Sequence, residues 1–221
     1  MPARLRPTAP FAADAVLVGD PGRALMLAQA LLEQPKMSNH ARGLWGYWGR
    51  TAAGRALSVQ ATGMGGPSAA LVLADLAELG VRRAIRVGTC AGLDPRLAAG
   101  DLLAIAEAHA WGGPGERAGD AALPDPDLER RLRDELGEGA RAGVVASLDT
   151  LHGAGAPAPV AAADAADMQT AALFASAQAL EVAMAAVLIV TETSAGEQLD
   201  EDATELAARR AGDAASAALS T

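Results

Sequence analysis

Two arginines stand where apolar segments meet glycine turns. In "VLVGDPGRA" (16–24) an aliphatic run ends in Gly19-Asp20-Pro21-Gly22, and Arg23 follows. In "AIRVGTCAGL" (84–93) Arg86 interrupts a core-like run that continues into Gly88, Thr89 and Cys90. A guanidinium keeps its charge and is seldom buried without a partner. Each arginine therefore calls for an anion, either an internal carboxylate or a ligand. A third glycine turn, "GMGGPS" (63–68), has the same strand-to-helix character, although Ser68 breaks the G-x-G-x-x-G spacing of a dinucleotide fingerprint. Backbone N–H groups at such junctions, aided by the helix dipole, suit an anion. Taken singly, each turn reads equally well as a plain connection. Taken together at one sheet edge, they bring Gly19, Arg23, Arg86 and the Thr89 hydroxyl to one spot, and the arginine fork matches phosphate oxygens. This convergence favours an oxyanion site over an internal salt bridge for Arg86.

The remaining candidates are less legible. Glu192 ends the apolar run in "IVTETS" (189–194) and suits a general acid, or is an exposed carboxylate at a strand end. His109 and His152 are lone histidines for which a core or loop role is the simpler reading.

The elements needed to position these residues follow from the pattern. Short apolar runs at 14–19, 84–89, 101–111, 140–149 and 185–192 read as strands, as do 43–49 and 54–62, joined by a hairpin turn. Helices are predicted over 23–34, 67–80, 127–137, about 168–181 and about 203–219. The stretch 112–126 reads as a loop and 152–165 as low in complexity and loose. Strands alternating with helices predict an α/β fold in one domain over 1–221, with a mixed, mostly parallel central sheet flanked by helices. In such folds ligands sit beyond the carboxyl ends of the strands.

Composition narrows the partners. The 221 residues are 51% hydrophobic, and the formal charge of −9 argues against nucleic acid. No apolar run reaches the roughly 18 residues of a membrane span, and no secretory signal is visible. With Cys90 as the single cysteine, neither a disulfide nor a zinc cluster is expected, and a reducing, cytoplasmic setting follows.

Several motifs in this order resemble the nucleoside phosphorylases of the uridine phosphorylase and hexameric purine nucleoside phosphorylase type, from about Ala15 to Glu192. "GDPGRA" is similar to the family's Gly-Asp-Pro-x-Arg turn and "ARGLWGYWG" to its Arg-Gly-x-x-Gly-Phe strand. "GMGGPS" is similar to Gly-Met-Gly-x-Pro-Ser, and "IRVGTCAG" to the Arg-x-Gly-Ser/Thr phosphate segment. "DMQTA" stands in the place of Glu-Met-Glu-x-Ala. The resemblance implies phosphorolysis of a nucleoside to a free base and ribose 1-phosphate, with inorganic phosphate as co-substrate and no cofactor or metal. It implies phosphate binding by Gly19, Arg23, Arg86 and Thr89. Arg42 would reach a neighbouring subunit's phosphate site, in a homodimer or trimer of dimers. Met64 and Met168 would flank the ribose, with Asp167 and Gln169 beside it. Leu151 and His152 would lie near the base, and Glu192 would protonate it.

The departures fall on the sugar and base side. Gln169 stands where the family has a glutamate, and Asp167 is one methylene shorter than its counterpart. No Arg occurs between Gly143 and Arg209, so the arginine that assists base protonation is missing. A nucleosidase using water and a non-catalytic nucleoside- or phosphate-binding relative are the competing readings. The resemblance implies that restoring a carboxylate with Gln169→Glu improves ribose binding. Trp45 and Tyr47 are expected on one face of a strand and Trp48 on the other, one face serving a partner.

Overall fold

Aliphatic runs buried on both faces build the centre of the protein, which is why they read as continuous rather than alternating. The computed structural model describes residues 4–112, 116–117, 121–148 and 163–220. Strand β1 (Asp14–Val18) lies between β4 (Ala56–Ala61) and β5 (Arg83–Gly92), parallel to both. Strand β10 (Ala183–Glu192) runs parallel to β5 on its other side. On the outer flank of β4, β3 (Gly46–Arg50) and β2 (Glu33–Asn39) add antiparallel.

The far side of the sheet curls closed. β10 also pairs antiparallel with β6 (Leu102–Gly112), β6 pairs parallel with β8 (Ala140–Leu148), and β8 pairs parallel with β9 (Ala165–Asp167). β9 returns antiparallel to the end of β5, through Ala91 and Gly92. The sheet is therefore mixed. A two-residue β7 (Glu116–Arg117) pairs back on β6 within the expected loop.

Two apolar layers cover the sheet. Along β10, Met184, Ala186, Leu188 and Val190 point into one core with α2 (Gly66–Glu78) and α4 (Thr170–Ala179). Ala185, Val187 and Ile189 point into the other with α1 (Pro21–Leu31), α3 (Pro126–Leu136) and α5 (Glu201–Ala218), the alternation a strand imposes. None of the described helices is long and apolar enough to cross a membrane.

Three local expectations change. The helix predicted over 23–34 stops at Leu31, and Glu33–Asn39 forms a sheet edge. Pro35 and Lys36 are residues that edge strands tolerate and central strands do not. Of the loose stretch predicted over 152–165, residues 152–162 lie outside the described residues, while Ala165 begins β9, whose three buried residues are held by β5 and β8 on either side. Trp45 and Tyr47 do not share a face: β3 begins only at Gly46, so Tyr47 is buried in the α1-side core while Trp45, ahead of the strand, is exposed.

Candidate functional site

The β1–α1, β4–α2 and β9–α4 junctions open onto a single cleft of about 460 Å3 beside the C-terminal half of β5. From the first come Gly19 and Arg23, from the second Met64 between Gly63 and Gly65, and from β5 Arg86 and Thr89. Asp167, Met168 and Gln169 close it from the third. Another hollow of equal volume, by Leu123, Phe174 and Met184, has Asp125 and Glu181 for its charged groups and no cation. Only the first is suited to an anion among these two.

Each junction has a local cause. The Asp20 carboxylate accepts from the Arg23 N–H at 2.7 Å and caps α1, with Pro21 in the first helical position. This puts the Arg23 side chain at the helix N-terminus, facing the cleft. The second turn needs left-handed backbone at Gly63 (φ 74°) and Gly65 (φ 79°), which only glycine adopts without strain. Met64 between them is 87% exposed and forms the outer wall. Ser68 donates to the Thr62 carbonyl at 2.6 Å and ties the turn to its helix.

The two arginines differ sharply. Arg86 is 4% exposed, and its Nη2 lies 3.0 Å from Oδ2 of Asp167, itself 1% exposed. Its Nη1 donates to Oε1 of Gln169 and its Nε to the Thr170 hydroxyl at 3.2 Å. The expectation that a ligand rather than an internal carboxylate neutralises Arg86 is thus corrected, because a guanidinium this deeply buried needs a built-in partner. Three of its five N–H groups are spent, one N–H on each terminal nitrogen has no partner among the described residues, and Arg86 is a residue of the cleft wall. Gly88 makes room for this arrangement: a Cβ there would come within 2.6 Å of the Arg86 guanidinium carbon.

Arg23 has no such partner. Among the described residues its guanidinium makes no hydrogen bond or ion pair, and it is only half-buried. Burial lowers its pKa from the ordinary arginine value, Asp20 opposes this, and the neighbouring charge of Arg86 adds to the lowering. The Thr89 hydroxyl likewise has no partner among the described residues.

Asp167 is a structural hub as well as a cleft residue. Its Oδ1 accepts from the Ser147 hydroxyl, and its Oδ2 from the Thr170 hydroxyl at 2.6 Å and the Thr170 N–H at 3.0 Å. A carboxylate at the start of α4 also complements the helix dipole. Asp167, expected beside the nucleoside, lines the cleft and also holds this frame together. Ser147, Thr170 and Thr62 complete the network and carry no sequence signal of their own.

Other candidates lie apart. Glu192, half-buried at the end of β10, is not among the residues lining the cleft. Arg42 is exposed on a single 3-10 turn (Ala41–Gly43), in left-handed backbone (φ 59°), and does not reach its own cleft. Leu151 and His152 lie outside the described residues. Cys90 is buried, and burial together with the Asp167 charge pushes its thiol far up, which makes it inert. His109 pairs with Glu107 on β6 and is absent from the cleft. No group of three or more His, Cys, Asp or Glu suited to a metal occurs among the described residues.

Comparison with known proteins bears on the family and the fold. The phosphorylase superfamily pattern matches residues 14–221. The DeoD-type purine nucleoside phosphorylase of Oceanobacillus iheyensis is 42% identical over 93 residues, covering 41% of this chain and 39% of that protein. Its counterpart from Clostridium perfringens is 41% identical over 95 residues, covering 42% and 40%. The matched segment thus takes in about two fifths of the length of these curated relatives. The crystal structure of purine nucleoside phosphorylase from Toxoplasma gondii in complex with immucillin-H superposes with a TM-score of 0.83, covering 95% of this chain and 92% of that one at 22% identity.

Proposed function

The chain belongs to the phosphorylase superfamily, and from that premise we propose that it cleaves the glycosidic bond of a nucleoside with inorganic phosphate. The products are a free base and a pentose 1-phosphate. The observation that carries this reading is the guanidinium of Arg23, which makes no hydrogen bond or ion pair among the described residues and lines a cleft with Thr89 and Arg86. An unpaired guanidinium next to a second arginine is unfavourable unless an anion arrives.

Phosphate held there by Arg23, Thr89, Arg86 and the backbone at Gly19 attacks the anomeric carbon. As the base departs, the sugar gains oxocarbenium character. The phosphate charge beneath it stabilises that cation while forming the new bond. Met64 and Met168 supply an apolar wall for the sugar. Neutral water needs no cluster of cations, so Arg23 weighs against a hydrolase. The relatives it matches are named for purine nucleosides, and these are the first substrates to try.

Arg42 completes the site of a second copy in this proposal. The buried amides of Asn39 and Gln60 both donate to the Leu44 carbonyl and clamp the turn on which Arg42 projects outward. The exposed side chains of Met37 and Trp45 offer apolar surface on the same flank. A panel of purine and pyrimidine nucleosides, assayed with and without phosphate, tests the reaction. Base release that requires phosphate and yields pentose 1-phosphate is expected; release at an equal rate without phosphate identifies a hydrolase and overturns it.

A further inference from the structure

Gln169 is 3% exposed, and both ends of its amide are engaged. Its Oε1 accepts from Nη1 of Arg86 and lies 3.3 Å from the Thr62 hydroxyl. Its Nε2 donates to the Gly63 carbonyl and lies 3.4 Å from that of Gly65. Chemistry fixes this orientation, since a guanidinium only donates and a backbone carbonyl only accepts. One side chain at the β9–α4 corner thus joins the arginine of β5 to the glycine turn carrying Met64.

We propose that Gln169 is a positioning residue that works because it is an amide, holding the Met64 turn and the Arg86 guanidinium in register through one donor and one acceptor. The proposal rests on the phosphorolytic reading of the cleft. It reverses the expectation that a carboxylate at this position improves the site. An ionised carboxylate would set an oxygen against the Gly63 carbonyl, acceptor to acceptor. The charged groups around it are Arg86 from β5, Asp167 from β9, and Asp20 and Arg23 from the β1–α1 junction. The arginines attract a carboxylate and the aspartates repel it, but none supplies the donor that Gly63 loses. A protonated carboxylic acid does supply it, having one O–H donor and one carbonyl acceptor in the amide's pattern.

The test compares the wild type with Gln169→Glu and Gln169→Met from about pH 5, near the carboxyl range, to about pH 8. Nucleoside kcat/KM and inorganic phosphate affinity are each taken as a ratio to wild type at the same pH. At high pH both variants should lose about tenfold or more in kcat/KM, the usual consequence of an unsatisfied buried group. On acidification the Gln169→Glu ratio should climb and the Gln169→Met ratio stay flat. Melting temperatures give a reading independent of turnover. A carboxyl that needs its proton in the fold has its pKa raised there, so its stabilisation is present below the unfolded value and lost as pH rises. The melting gap between Gln169→Glu and wild type should therefore narrow at low pH. A Gln169→Glu protein that equals or exceeds wild type at high pH, or a ratio that falls on acidification, overturns the proposal. If wild type releases no base, the phosphorolytic reading fails on its own, and a melting gap unchanged with pH still overturns the positioning role of Gln169.

Discussion

The cleft has two ends built on opposite principles. At one, Arg23 and Thr89 stand with unspent donors. At the other, Asp167 and Gln169 are saturated by Arg86, Ser147, Thr170, Thr62 and the Gly63 carbonyl. Arg86 belongs to both, with three N–H groups bonded within the frame and two without a partner among the described residues. The closed end is a rigid frame and the open end is the part that meets a ligand, so changes at the two should fail differently: loss of stability at one, loss of phosphate at the other.

The largest expected effect is at the closed end. Asp167→Ala leaves Arg86 buried without its carboxylate and should cost about 3–5 kcal/mol of stability, read by denaturant unfolding. A cost below about 1 kcal/mol would show that the pair is not what holds β5, β8 and α4 together. Next is the residue joining the two ends. Gly88→Ala places a methyl group within 2.6 Å of the Arg86 guanidinium and 2.7 Å of Leu188, so overpacking of about 1–3 kcal/mol is expected together with weaker phosphate binding. If phosphate affinity survives while stability falls, Arg86 is purely part of the frame.

The subunit question comes third. Arg23→Ala and Arg42→Ala proteins, unfolded and refolded together, should regain part of the activity each lacks, because one site of a mixed pair keeps both arginines. Mixing that restores nothing confines the site to one chain. The smallest effect is expected for Glu192→Gln. A general acid would be worth about 10²–10⁴ in rate, whereas a carboxylate outside the cleft should cost less than about tenfold in kcat.

The open end was legible in the sequence and the closed end was not, for a physical reason. Gly19, Arg23 and Gly63 belong to strand-to-helix junctions, which local sequence encodes through glycine, a capping aspartate and a proline at the helix start, while Thr89 sits within β5. The partners of Arg86 lie more than 80 residues away, and the Ser147, Thr170 and Thr62 hydroxyls that complete the frame look like any others until β8, β9 and α4 are assembled. Arg86 stands out in the sequence as an anomaly, and Asp167 and Gln169 stand out only through the family resemblance, as neighbours of the ribose and not as partners of Arg86. β2 escaped notice because an edge strand rich in polar residues carries no buried period, and β9 because three small residues are too few to show one.

Titrating inorganic phosphate into wild type and Arg23→Ala by calorimetry tests most directly the claim that the open end is the anion site. One phosphate per chain is expected, with affinity falling roughly 10- to 100-fold in the variant, as loss of a hydrogen bond to a charged group implies. Arg23 has no internal partner to strand, so the variant should melt close to wild type. Unchanged phosphate affinity in a folded Arg23→Ala protein would contradict the account.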